Sequence, residues 1–213
     1  MTTPAETPRW GWVAAGFLAA FGAATGFALW TRALGDWNNG LAWERSLLAA
    51  LPRPLPPVLD QTVFWLAWLG TNVTLFPVLA VAGVWLWRAR RRDLVVYIGV
   101  VAMGSLALNQ LLKALFDRAR PALWEHRGRY SQSSFPSGHA IAVIATLFTL
   151  AIILHRERGW RWPYAVCGVI LVANIYSRLY LGVHWPSDVA GGAIAGVIWL
   201  VTTFVAFRPA AIV

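Results

Sequence analysis

Apolar runs of membrane-spanning length recur along this chain, and few folds can accommodate them. A helix crosses a bilayer with about 20 mostly apolar residues. Hydropathy predicts about six such helices: Trp12 to Leu34, Thr62 to Trp87, Leu94 to Phe116, His139 to Leu154, Tyr164 to Leu181 and Ser187 to Phe207. The fourth reaches spanning length only if its helix starts within Pro136–Gly138. No run shows the period-two alternation of a membrane β-barrel. Composition agrees: 58% of the 213 residues are hydrophobic and 13% are charged, about half the charged share of a soluble domain. The expectation is an all-α integral membrane bundle, one unit over residues 1–213, since no long polar linker divides it.

The first run is longer than a signal-peptide core and shows no convincing cleavage site before Asp36, so it is expected to remain as a helix. The formal charge is +9, and Lys113 is the only lysine. Such basicity can signal nucleic acid. Here the arginines sit in short loops between apolar runs, which points to topology or an anionic lipid instead. No nucleic-acid partner and no obligate protein partner is expected. Cys167, the single cysteine, lies within an apolar run and reads as a small core residue.

Arginine placement predicts orientation. Arg88–Asp93 and His155–Arg161 are the most basic tight loops and are expected to face the cytoplasm. Six spans then place both termini there, with Arg9 and Arg208. The protein is expected in the inner (cytoplasmic) membrane of a bacterial cell. Trp10, Trp12, Trp85, Trp87, Trp160 and Trp162 fall at the same predicted interface, as an aromatic belt does. The loops around 36–60, 117–138 and 182–186 face the periplasm or exterior. One of them breaks the rule: 117–138 carries Arg118, Arg120, Arg127 and Arg129 on the outer side. Ligand binding is the natural reason.

Within 36–60, Leu41, Leu47, Leu48 and Leu51 share a broad helical face, with Glu44 and Arg45 elsewhere, and Pro52–Pro57 stops the helix. This reads as an interfacial amphipathic segment. It is expected to rest on the bilayer surface, a lid being the alternative.

Three polar islands meet at the outer face. The first is KALFDRARP, Lys113 to Pro121. If the third helix continues, Lys113 and Arg120 point the same way, roughly 10 Å apart along the axis. Asp117 at i+4 is expected to pair with Lys113, and Arg118 to be left to solvent. The second is SFPSGHA, Ser134 to Ala140, with Pro136 at a first helical position and Ser137, Gly138 and His139 in the first turn. Unpaired backbone N–H groups there suit an anion. The third is SRLYLGVHWPSD, Ser177 to Asp188. Pro186 opens the last helix, and His184 and Asp188 sit four apart across its entry. An Asp on one imidazole nitrogen leaves the other free to act.

Each island alone has a plain structural reading: a snorkelling lysine, a helix cap, an interfacial histidine. Together they supply cations (Lys113, Arg120, Arg178), neutral donors (Ser137, Gly138), two histidines and an aspartate at one membrane face. Ionisable groups at membrane depth usually mark function. The set describes a phosphate site. His139, His184 and Asp188 could compose a metal triad, but the surrounding cations argue against it. His126 reads as an exposed loop residue. Arg127 and Arg129 have a second phosphate or anionic lipid as alternatives to a hydrated loop. Ser177 has no assigned chemistry.

The three islands resemble the signature of the type 2 phosphatidic acid phosphatases, also called lipid phosphate phosphatases: K-x6-R-P, then P-S-G-H, then S-R-x5-H-x3-D. Lys113, Arg120 and Pro121, Pro136 to His139, and Ser177, Arg178, His184 and Asp188 match every position. The resemblance implies a metal-independent hydrolysis without cofactor. His184 would be the nucleophile and form a phosphohistidine. Asp188 would orient it, and His139 would protonate the leaving oxygen and then activate water. Lys113, Arg120, Ser137, Gly138 and Arg178 would hold the phosphoryl oxygens. The substrate would be a lipid phosphate in the bilayer: phosphatidylglycerol phosphate, undecaprenyl diphosphate or phosphatidic acid. Two alternatives share the pattern. Vanadium haloperoxidases are soluble and larger, which the apolar runs oppose. A non-catalytic lipid-binding or scramblase-like protein would be expected to lack a catalytic residue, and none is missing.

Overall fold

A computed structural model describes residues 8–126 and 133–207; Arg127, Arg129 and Arg208 lie outside them. The described residues are helical: α1 (Trp10–Ala33), α2 (Ala42–Ala49), α3 (Pro57–Leu66), α4 (Asn72–Arg88), α5 (Arg92–Phe116), α6 (Gly138–Ala142), α7 (Phe148–Arg158), α8 (Trp162–Tyr180) and α9 (Pro186–Phe207). α6 runs into α7 through a π-helical stretch, Val143–Leu147.

Small residues set the packing. Gly16, Ala20, Ala24 and Ala28 recur every fourth residue on α1 and are its buried face. That spacing makes one smooth stripe, and it lies against α9, where Gly16 meets Thr202. Without a hydrophobic drive between helices in lipid, close backbone approach of this kind is a main source of association. α9 does the same towards α6. A Cβ on Gly192 would fall 2.5 Å from the Ser137 carbonyl oxygen, so only glycine lets the two helix starts meet. Tyr97, Val101, Leu108, Ile153 and Trp199 fill the core between α5, α7 and α9.

The second apolar run is not one straight helix. α3 ends in a 3-10 turn, Ala67–Gly70, and the two halves of the run bend by 48°. Thr71 caps the next helix, its Oγ1 accepting from Thr74 N at 3.4 Å. By length and hydropathy four helices could cross a membrane, and the bent pair makes up to five. α8 is not among them: Asn174 and Arg178 interrupt its apolar character.

The two basic loops share one end of the bundle. Arg91 pairs with Glu157 across them. Both described chain ends arrive there too, with Arg9 N donating to Ala206 O at 3.1 Å and Trp10 packed on Phe207. Trp10, Trp12, Trp87, Trp160 and Trp162 are exposed around that end, and Trp30 and Trp43 face outward towards the other.

Within the 36–60 segment, one residue departs from the amphipathic reading. Glu44, placed on the polar side of α2, is fully buried together with Leu41 and Leu48, while Leu47 is exposed. α2 is fastened inward by its carboxylate together with Leu41 and Leu48.

Candidate active site

Lys113 sits in the last turn of α5 and donates to Ser133 O at 2.6 Å. The helix ends three residues later, because Asp117 turns left-handed (φ 39°), a conformation short polar side chains tolerate. Lys113 and Arg120 therefore do not share the continuous helix that the sequence predicts, and the Lys113 ammonium bonds Ser133 O rather than Asp117. They still converge, because the chain doubles back after Asp117. Arg120 donates to the carbonyls of Val183 and Ser133.

Ser137 is the N-cap of α6 and Gly138 its first residue, so Pro136 stands just before the helix rather than at its first position. Ser137 N donates to Asp188 O at 2.9 Å, which locks the start of α6 to that of α9. A Cβ on Gly138 would meet the Asn109 side chain at 2.8 Å. Next along, His139 Nε2 lies 3.4 Å from an Arg178 guanidinium nitrogen. Arg178 is 3% exposed. Its Nε lies 3.5 Å from Ser177 Oγ, which itself donates to Asn174 O. The previously unassigned Ser177 is thus a buried rest for the arginine.

Pro186 opens α9 as expected. Asp188, fully buried, accepts Trp185 N on Oδ2 at 2.8 Å and lies 3.6 Å from His184 Nδ1. That distance is ion-pair range rather than a formed hydrogen bond. It turns Nδ1 to the aspartate and leaves Nε2 for other chemistry. Burial, then the charges of Arg120, Lys113 and Arg178, hold the His184 imidazole well below its usual pKa, so it is neutral at physiological pH.

Lys113, Arg120, Gly138, His139, Arg178 and His184 line one cavity of about 290 Å³. Ser137 and Asp188 stand behind its wall. Gly70 and Thr71, at the bend of the second run, also line it, and a Cβ on Gly70 would crowd Asn174 and His139. Away from the cations the cavity becomes apolar, along Leu75, Phe76 and Leu79 of α4 and Ala102 and Leu106 of α5. Among the described residues no three His, Cys, Asp or Glu side chains gather as a metal site.

Three sequence readings need correction. Arg118 is not solvated but fully buried, donating to Asp188 Oδ1 at 2.6 Å, Ser187 Oγ at 2.7 Å, Glu44 Oε2 at 2.8 Å and Trp37 O at 2.8 Å. Glu44 is drawn into the same cluster. His126 is not a free loop residue: its Nε2 lies 2.8 Å from Pro121 O and 2.9 Å from Gly182 O, between two loops at the site end. The signal for Glu44 was present, since it shares an i, i+4 face with Leu48.

The PAP2 superfamily model matches residues 93–211, more than half of the chain. YbjG, a candidate undecaprenyl-diphosphatase of Escherichia coli (strain K12), is 33% identical over 159 residues, covering 72% of this chain and 75% of that protein. Phosphatidylglycerophosphatase B of Bacillus subtilis (strain 168) is 30% identical over 150 residues, covering 67% and 72%. The fold is similar to the crystal structure of a transmembrane PAP2 type phosphatidylglycerolphosphate phosphatase from Bacillus subtilis, with a TM-score of 0.76 and 24% identity over 87% of this chain and 94% of that one.

Proposed function

The chain belongs to the PAP2 superfamily as a membrane lipid phosphatase, and we propose that it cleaves the phosphomonoester or diphosphate head group of a lipid through a phosphohistidine at His184. The observation that carries this is the single cavity with three cations and two histidines at one end and apolar α4 and α5 side chains at the other. A head group and the start of its tail fit that polarity together.

In the proposed reaction His184 Nε2 attacks phosphorus and the bond from phosphorus to the leaving oxygen breaks. His139 gives that oxygen a proton. Lys113, Arg120 and Arg178 spread the charge of the phosphoryl oxygens, with Ser137 and Gly138 at the helix start adding neutral donors. Water, deprotonated by His139, then attacks the phosphohistidine, releasing inorganic phosphate and free His184. Positioning and charge stabilisation supply most of the catalysis in such transfers.

The relatives' names give different head groups, a diphosphate and a phosphomonoester. Undecaprenyl diphosphate and phosphatidylglycerol phosphate are the leading substrates, phosphatidic acid the third. The protein acts as one unit over 1–213 in the inner membrane, with the basic end in the cytoplasm and the cavity end outside. Phosphate release from these three lipids in detergent tests the activity. Turnover that survives EDTA and is inhibited by vanadate supports the mechanism; a strict divalent-ion requirement refutes it. An impermeant thiol reagent on intact cells tests orientation. It should label Asn38→Cys and spare Arg90→Cys, and the reverse pattern inverts the topology.

A further inference from the structure

Four donors of Arg118 are used on four different groups from three parts of the chain, and its guanidinium lies 3.9 Å over the Trp37 ring. Glu44 is equally committed. Its Oε2 accepts from Arg118 and from Leu41 N, and its Oε1 accepts from Ser187 N at 3.1 Å and from Ser187 Oγ. Glu44, Arg118 and Asp188 are each fully buried. Two carboxylates around one guanidinium leave a net charge of −1 where lone pairing with Arg118 would leave Asp188 neutralised.

We propose that Glu44 and Arg118 are positioning residues for the phosphatase reaction. Arg118 fixes the Asp188 carboxylate so that Oδ2 faces His184, and Glu44 shares the charge of Arg118 so that Asp188 keeps its own. The inference rests on His184 being the nucleophile. When Nε2 takes up the phosphoryl group, the imidazole ring becomes cationic and keeps its proton on Nδ1. A net anion at 3.6 Å stabilises that ring, and a neutralised Asp188–Arg118 pair would do so far less. Arginine is required because a lysine ammonium cannot reach four acceptors in one plane. α2 thereby joins the catalytic centre through one side chain, although no residue of it lines the cavity.

The charged and titratable groups facing His184 are Lys113 on α5, Arg120 after it, His139 on α6, Arg178 on α8 and Asp188 on α9. Four of these five are cationic or neutral, so the anionic cluster is the single counterweight. Glu44→Gln preserves shape and removes the charge. In the purified full-length protein it should lower kcat for the lipid phosphate that the wild type hydrolyses by about 10–100-fold, the usual cost of losing an orienting partner. KM should stay within about twofold, and the acid limb of kcat should move to lower pH, since a lost anion disfavours the imidazolium. Should Glu44→Gln fail to fold, Arg118→Lys reads the same split, with kcat falling and KM held. A folded variant with wild-type kcat and an unmoved acid limb, reduced only in melting temperature, makes the cluster purely structural and overturns the inference. A wild type that releases no phosphate from any lipid phosphate overturns the functional reading as well.

Discussion

At the basic end of the bundle Arg88, Arg90, Arg92 and Arg158 are exposed, and Arg91 makes a partly exposed bridge to Glu157 and Asp93. At the opposite end Arg118 is fully buried and Arg178 is 3% exposed. The residue type is the same and the surroundings are opposite. Exposed arginines in short loops set orientation and can interchange without loss, because a count of charges is all the membrane reads. Buried arginines are held by several fixed acceptors, so each serves one geometry. A charge count along the sequence cannot separate these uses; the distinction lies in which loops turn back into the bundle.

The comparison predicts that activity depends on one end only. His184→Ala should lower kcat by at least about 10⁴-fold, as loss of a nucleophile does, with melting temperature and detergent behaviour retained. Near-normal phosphate release would remove His184 from its role. Arg178→Lys keeps the charge and loses the planar fork; losing one fixed donor to a developing charge costs about 10²–10³-fold in kcat. Arg90→Lys at the basic end should leave kcat untouched. Equal losses at both positions would break the distinction between the ends.

A smaller effect concerns protonation. Free histidine titrates near about 6.5, and burial with the nearby cations Arg120, Lys113 and Arg178 holds His184 below that. The folded imidazole therefore stays neutral as pH falls through about 6.5, while the unfolded chain takes up a proton. By linkage stability declines below that pH and is unaffected above it, and His184→Ala should flatten that part of the curve. Nitrogen NMR of histidine-labelled protein should find His184 neutral at pH 6, with inorganic phosphate moving its titration upward. A His184 that titrates near 6.5 with or without phosphate contradicts the cation cluster.

Four of the six predicted spans and the three motif blocks were legible because each obeys a short-range rule: runs of apolar residues for the bilayer, and fixed spacing where a helix end must present a side chain. What stayed hidden depends on chain reversal. Arg118 reads as solvated only if α5 continues; the left-handed Asp117 ends it, and the next residue turns inward. Glu44 reads as the polar face of a short amphipathic helix, and its side-chain partners Arg118 and Ser187 lie more than seventy residues away. The bend at Gly70–Thr71 carried a local signal, a Gly-Thr-Asn break in an apolar run. What Gly70 makes room for, Asn174 on α8 and His139 on α6, lies far along the chain.

The smallest predicted effect tests the basic end directly. Arg91 joins the α4–α5 loop to the end of α7 through Glu157, with 20% of its side chain exposed. A partly exposed pair of this kind, open to solvent on its arginine side, contributes on the order of 1 kcal/mol, reduced by salt. Arg91→Ala should lower the melting temperature slightly, less so at high ionic strength, and leave kcat and KM unchanged. Arg118→Ala instead leaves Glu44 and Asp188 buried without their shared cation, which costs about 3–5 kcal/mol. Salt cannot reach that cluster, so the loss should be independent of ionic strength. Matching losses, or a salt-sensitive Arg118→Ala, would mean that burial does not distinguish the two ends, and the role of Arg118 would shrink to that of Arg91.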